Sequence, residues 1–382
     1  MKVAISHLSL NFLGGEEKLC LSFIKALKLN GHKVTLFTVE KTDWRAMQRF
    51  FGKVLMPDKE IYLTFLPIHE NFSKNSTVAF SYASYFAGLI KLNFVEEYNV
   101  VINTYGDVFN SIADISYVHF PIKATLEYHQ IPAFTSPLKW KLYSKIYSIS
   151  SLFADNIKPG ILLTNSKFTQ QVIKKHLNRD SLILHPPIEV QNYLCKNTER
   201  KNYVITISKF TPKRCLHRIP LIARRTKNAK FIIVGAADEY SGETIKRLRK
   251  AIHAQGLENH VTMMHNVPRS TIINLLAKAK VYLHVMPFEH FGISVVEAMA
   301  AGCVPVVHRS GGPWLDILSQ QQGKNGFSYT TVEEAAQIID KTMNNENLRK
   351  AISLNAQKRA LCYDISVFQK KLNLLVTKLN EK

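Results

Sequence analysis

The chain has 382 residues, 46% of them apolar, and lysine plus arginine exceed aspartate plus glutamate by 50 to 29, a formal net charge of +21. This length and apolar fraction bury a large core and favour two domains over one or four. The basic excess requires an anionic partner, which composition leaves open between nucleic acid, an anionic membrane surface and a phosphate-bearing substrate. Five cysteines (Cys20, Cys195, Cys215, Cys303 and Cys362) are odd in number, scattered and free of C-x-x-C spacing. They suggest neither a disulfide framework nor a zinc site, and they fit a reducing compartment.

In chain order, Met1–Ser6 runs straight into a strand, with no long apolar region or cleavage site, so no signal peptide is predicted. No apolar stretch reaches the roughly 18 to 20 residues of a membrane span. The expectation is a soluble or peripheral cytoplasmic protein. Lys2–Ser6 is predicted as a buried strand, 7–15 as a loop, Glu16–Leu29 as an amphipathic helix closed by Asn30-Gly31, and His32–Val39 as the next strand. Further strands are predicted at 100–104, 115–119, 161–165 and 182–184. Periodicity is lost in the polar run from Val190 to Asn202, which reads as an interdomain linker. A second βαβ series follows, with strands near 203–208, 230–235, 261–264, 281–285 and 304–308, and a last helix covers Val367–Leu379. Alternating strands and helices without a solenoid repeat predict an α/β architecture.

Chemistry concentrates where a predicted strand hands over to a helix. Glu289 and Gly292 sit on such a loop in Pro287-Phe-Glu-His-Phe-Gly-Ile-Ser-Val-Val-Glu297. In an open parallel sheet, ligands bind at the carboxyl ends of the strands, and helix-start amides around Gly292, Ile293 and Ser294 suit a phosphate or a sugar hydroxyl. Ser294 and Glu297 also fit a capping box, in which both serve the helix's own amides and no ligand. Glu289 caps nothing obvious, which leaves a functional carboxylate or a solvated loop residue. Lys209 and Arg214 follow the first strand of the second series, and nine cations with no acidic residue lie between Lys201 and Lys230. Arg218, Arg224, Arg225 and Lys227 read as a solvated helix face. Gly14 and Gly15 join the first strand to the first helix, as a tight turn or a phosphate cradle, and no G-x-G-x-x-G fingerprint is present. His119 falls at a strand end, where a lone histidine serves either packing or a site. Segment 138–153 carries apolar residues at helical spacing beside Trp140 and several lysines, as in a core helix or a basic helix on an anionic membrane.

The E-x7-E spacing of Glu289 and Glu297, with Phe291-Gly292, Glu297-Ala-Met-Ala-Ala-Gly302, Pro305-Val306 and Gly311-Gly312, resembles the donor-site signature of retaining GT-B enzymes of glycosyltransferase family 4. The resemblance extends to Ser208-Lys-Phe-Thr-Pro-Lys-Arg214, Tyr117-Val-His-Phe-Pro121, Leu163-Thr-Asn-Ser-Lys-Phe-Thr169 and His185-Pro-Pro-Ile188, and so covers most of the chain. It implies two Rossmann-like domains facing across a cleft. The acceptor side would be residues 1–189, with a C-terminal helix at 365–382 packed back on it, and the nucleotide-sugar side residues 190–364.

By that resemblance, His119 and Glu289 contact the transferred sugar and Glu297 holds the ribose. Lys209 and Arg214 neutralise the diphosphate, while Gly14, Gly15, Phe291, Gly292, Ile293 and Ser294 line the donor. Lysine at 209 and arginine at 214 reverse the family's usual order, so the bidentate fork is moved. Within the family the motifs resemble those of mannosyltransferases that extend a lipid-linked oligosaccharide. The implied donor is GDP-mannose, with a UDP-sugar as the alternative, and the implied acceptor is a glycan or polyprenol-linked glycan, with possible anionic-membrane contact. No cofactor is implied. No metal is implied either, because the chain lacks the D-x-D motif and its cations can take the metal's role. A phosphorylase or epimerase on the same fold fits the glutamate pair less well. A nucleic-acid-binding protein, the remaining class, lacks a recognisable binding motif, so no nucleic acid is expected.

Overall fold

The computed structural model describes residues 1–71, 85, 98–106, 113–129, 160–194, 198–238 and 240–380. Segment 138–153 lies outside the described residues. Two compact units divide the chain. The first comprises residues 1–165, 169–187 and 366–382, and the second comprises 166–168 and 188–365.

The first unit is built on β1 (Lys2–Ser6), β2 (Lys33–Glu40), β3 (Lys59–Thr64), β4 (Val100–Asn103), β5 (Ile115–Val118), β6 (Ile161–Thr164) and β7 (Leu182–Ile183). All pair in parallel in the order β3-β2-β1-β4-β5-β6-β7. Helices α1 (Gly15–Leu29), α2 (Trp44–Phe51), α3 (Ile122–His129) and α4 (Lys167–Leu177) follow strands in this half of the sequence. Strands β4 and β5 are buried at every position, as expected of a parallel sheet covered on both faces.

The second unit contains β8 (Lys201–Ile207), β9 (Lys230–Gly235), β10 (Val261–His265), β11 (Ala279–His284), β12 (Val304–His308) and β13 (Phe327–Tyr329), again all parallel, in the order β10-β9-β8-β11-β12-β13. Successive strand residues alternate between two apolar clusters. Ile205, Val234, Tyr282 and Val307 enter one, while Val204, Ile233, Val281, Leu283 and Val306 enter the other. Period-2 geometry thus splits each strand between the two faces. The helices of this unit are α5 (Arg218–Ala223), α6 (Gly242–His253), α7 (Arg269–Lys278), α8 (Ile293–Ala300), α9 (Val332–Asn344) and α10 (Glu346–Ala360).

Both sheets reverse strand order beside their first strand, between β1 and β4 and between β8 and β11. Connections leave such a switch point in opposite directions and open a crevice at the carboxyl ends. Topology alone therefore marks the loops after β1, β4, β8 and β11 as ligand-facing.

The chain departs from simple reading in three places. Edge strand β3 has no position fully buried, and β13 is three residues long, so neither shows the apolar run that identifies a central strand. The polar run from Val190 starts with a 3-10 turn at Val190–Tyr193 whose two named ends are buried in the second unit's core, so this part is packed structure and no free linker. The last helix, α11 (Ile365–Asn380), places Phe368, Leu372 and Val376 in the first unit's core, with Phe368 edge-on to Phe23 at 5.3 Å between ring centroids.

Phe368→Ala is expected to destabilise the first unit by about 3–5 kcal/mol, as for other buried phenylalanines. Urea unfolding read from Trp44 fluorescence, in a chain carrying Trp140→Phe and Trp314→Phe, measures it.

Candidate active site

The second unit's site is assembled from the two loops that flank its switch point. After β8, Phe210 is fully buried and anchors the loop, and the Ser208 and Phe210 amides donate to Val234 and Ala236 carbonyls. A side chain at Gly235 would lie 1.9 Å from the Ser208 carbonyl oxygen, so β9 passes this loop only as glycine. A short turn, Pro212–Arg214, then directs Arg214 back across the site.

After β11, the chain passes Phe288 in a left-handed conformation (φ 54°) and reaches Glu289. Gly311 and Gly312 run against its backbone. The Gly312 amide donates to the Glu289 carbonyl at 2.8 Å, and a Cβ on Gly311 or Gly312 would stand 2.3 Å from the Glu289 or His290 carbonyl oxygen. The Phe288 amide donates to Ser310 Oγ at 2.8 Å, and Ser166 Oγ donates to the His290 carbonyl at 2.6 Å. The Glu289 backbone is thus fixed by several partners.

The Glu289 side chain is 14% exposed, and its Oε2 accepts from Arg214 Nη1 at 2.6 Å while its Oε1 accepts from the His290 amide at 3.0 Å. Nε2 of His284 lies 3.5 Å from the same Oε2. Burial pushes the carboxyl pKa up, but Arg214, His284 and His290 outweigh it and hold the group well below the usual carboxylate range. Glu289 is therefore a fixed anion at neutral pH.

Helix α8 starts on Gly292, whose φ of 97° brings the chain round. The amides of Ile293 and Ser294 donate to no backbone acceptor among the described residues, as expected of the first amides of a helix. Phe291 is buried beneath, edge-on to Tyr363. The capping-box alternative is not what forms. Gly292 occupies the cap, Ser294 Oγ accepts from the Tyr282 hydroxyl at 2.7 Å, and Glu297 Oε1 accepts from the Tyr193 hydroxyl at 2.8 Å and from Arg269. Glu297 is buried.

Lys209 and Arg214 take separate partners. Lys209 Nζ meets Asp238 at 2.7 Å and is half exposed, while Arg214 also touches Met286 Sδ at 3.2 Å.

In the first unit, Gly14 caps α1 and its amide donates to Glu17 Oε2 at 2.6 Å, while Gly15 faces open space. His119 directly follows β5. Its Nε2 donates to the Thr104 carbonyl at 3.1 Å, leaving Nδ1 as the other ring nitrogen, and its own carbonyl accepts from Asn165 at 2.6 Å. Sequence reading missed the buried His7, whose Nδ1 pairs with Thr104 Oγ1 at 3.0 Å and whose Nε2 lies 3.7 Å from Glu17 Oε1. It also missed His284, Tyr193, Arg269 and His308. His284 and His308 end strands β11 and β12, Arg269 starts α7 and Tyr193 ends a 3-10 turn, and no local spacing signals any of them.

Two Rossmann-like units, each built on a parallel sheet with a switch point, form the GT-B fold. Residues 196–359 match the family model "Glycosyl transferases group 1". The GDP-Man:Man(3)GlcNAc(2)-PP-Dol alpha-1,2-mannosyltransferase of Dictyostelium discoideum is 27% identical over 254 residues, 61% of this chain and 49% of that protein. The Homo sapiens enzyme of the same name is 27% identical over 270 residues, 66% and 50%. The chain spans about half the length of these curated relatives. Among solved structures, HepE of Anabaena in complex with UDP and glucose shares the fold with a TM-score of 0.73 at 18% identity, covering 99% of this chain and 100% of HepE. WaaG, a glycosyltransferase involved in lipopolysaccharide biosynthesis, gives 0.71 at 15%, covering 98% and 99%. Among the described residues, no helix is long and apolar enough to cross a membrane.

A pH dependence follows from His308, which donates to or accepts from Ser310 Oγ at 2.8 Å. Burial, then Arg218, His284 and Arg309, lower its pKa to about 4. The unfolded chain binds this proton near pH 6.5 and the native chain only near 4, so stability falls as pH drops through that window. His308→Asn is expected to flatten the decline of Tm between pH 6.5 and 4. An unchanged slope would show that this histidine does not titrate as described.

Proposed function

We propose that the protein is a retaining hexosyltransferase that moves a sugar from a nucleoside diphosphate donor, mannose from GDP-mannose, onto a glycan or polyprenol-linked acceptor at the cytoplasmic face of a membrane. The observation that carries the transfer reading is the Arg214–Glu289 pair at 2.6 Å beside the open amides of Ile293 and Ser294, on the two loops of one switch point. The mannose reading rests on the motif resemblance and on the mannosyltransferases to which the chain is similar. A UDP-sugar donor is the second reading, supported by the UDP and glucose bound to the structurally similar HepE.

The chemistry then follows from charge. Breaking the bond between the anomeric carbon and the diphosphate builds negative charge on the leaving oxygen, and stabilising it is an electrostatic task. Arg214, Lys209 and the helix-start amides take that charge. In the absence of donor, Arg214 spends its charge on Glu289. An arriving diphosphate competes for the guanidinium, and the Glu289 carboxylate becomes an acceptor for sugar hydroxyls. The motif resemblance assigns His119, whose Nε2 is tied to Thr104, the role of a positioning group with no covalent part. Gly15 leaves open space beside the first helix start, and the motif resemblance assigns Gly14 and Gly15 to the donor.

Glu289→Ala is expected to lower the transfer rate by about 100-fold or more, as for loss of one preorganised polar group in an active site. Transfer rate and donor affinity both unchanged would remove Glu289 from the site. A thermal-shift screen separates the two donors, since GDP-mannose raises Tm by mass action under the first reading and UDP-glucose under the second. Because side-chain cations carry the diphosphate, transfer in EDTA is expected to match transfer with added Mg²⁺ within about twofold. Loss of activity on chelation, restored by the metal, would overturn that part.

A further inference from the structure

The nucleoside side of the site contains a constraint that the family signature does not describe. Glu297 is buried, and among the described residues all of its hydrogen bonds fall on one oxygen. Oε1 accepts from the Tyr193 hydroxyl at 2.8 Å and from Arg269 Nη2, and Arg269 also reaches the Tyr193 hydroxyl. The guanidinium carbon also lies over the Tyr193 ring, 5.2 Å from its centroid, a cation–π contact. These three residues come from separate elements: the 3-10 turn at Val190–Tyr193, the first residue of α7, and the interior of α8. Tyr193 is buried, whereas the Arg269 side chain is 47% exposed and borders solvent.

A carboxylate offers two oxygens, and a ribose offers two neighbouring hydroxyl donors. With both oxygens open, the diol binds in a bidentate manner and neither hydroxyl dominates. Here Oε1 already receives two donors, one of them charged, and charge-assisted hydrogen bonds are the stronger ones. Only Oε2 remains for an incoming hydroxyl.

We infer that Arg269, backed by Tyr193, is a specificity-determining residue that restricts Glu297 to one free oxygen, so that the site reads one ribose hydroxyl of the donor and tolerates loss of the other. The inference rests on the proposed donor site and on the ribose-holding role that the motif resemblance implies for Glu297. It adds the partner that sets how the carboxylate is used.

The experiment compares binding of GDP, 2′-deoxy-GDP and 3′-deoxy-GDP, with the UDP series in parallel, to the wild-type chain, Arg269→Gln and Tyr193→Phe by calorimetry. In the wild type, one deoxy analogue is expected to bind within about twofold of its parent nucleotide. The other should bind about 10- to 100-fold more weakly, the loss of one hydrogen bond to a charged group. In Arg269→Gln the gap between the two analogues should shrink to about threefold or less, because Oε1 keeps only the Tyr193 donor and takes the second hydroxyl in place of the guanidinium. Tyr193→Phe should give an intermediate gap.

A gap of the same size in wild type and Arg269→Gln overturns the inference, as does a wild type that loses affinity equally for both analogues. Arg269 is half exposed, and unchanged thermal unfolding of Arg269→Gln without nucleotide checks that the fold is kept. If neither GDP nor UDP binds the wild type, the donor-site reading itself fails. That result is distinct from tight nucleotide binding with an unaltered gap.

Discussion

The Arg214–Glu289 ion pair is the constraint on which the second unit's site depends. Its two partners sit on loops that leave neighbouring strands, β8 and β11, on opposite sides of a reversal in strand order. A buried carboxylate is costly unless it is paired, and one arginine with a nearby histidine supplies that compensation. The neighbourhood is arranged so that the pair forms. Phe210 fixes the loop that bears Arg214, while Ser310, Gly311, Gly312 and Ser166 hold the backbone around Glu289. A side chain so heavily supported from behind loses little freedom when a ligand arrives, which is the structural basis of preorganisation.

The glycines around this carboxylate serve approach. Gly311 and Gly312 permit two backbone segments to touch where a methyl group would collide with a carbonyl oxygen, and Gly292 turns the chain with a positive φ so that the helix begins immediately after Phe291. One consequence is that the helix start is shifted relative to the serine that looks like its cap. Ser294 therefore turns to Tyr282, and Glu297, one turn further on, is free to meet Tyr193 and Arg269.

That shift marks the boundary of what the sequence discloses. The α/β class and the alternation of strands are legible because parallel strands covered on both faces need continuous apolar runs, such as Val304–His308. The segment from Glu289 to Gly312 is legible because its residues are near neighbours along the chain. Ser294 and Glu297 have the spacing of a capping box, and spacing cannot reveal that a glycine two residues earlier has taken the cap. Tyr193 is hidden inside a polar run that looks like a linker, and Arg269 and His284 carry no local pattern at all. Each acquires meaning only through tertiary packing that joins elements far apart in sequence. The edge strand β3 escapes for the opposite reason, since its partly exposed residues mix lysine and glutamate with isoleucine and leucine.

The last helix has a consequence for how the chain is made. Phe368, Leu372 and Val376 complete an apolar cluster whose other members, among them Phe23, Ile24 and Tyr117, are synthesised hundreds of residues earlier. The ribosome delivers every strand of the first sheet before it delivers the helix that closes their core. The second unit, continuous from 188 to 365, is complete before that helix is. The first unit is thus finished only after the second, and until then its waiting apolar surface is open to chaperones and to aggregation.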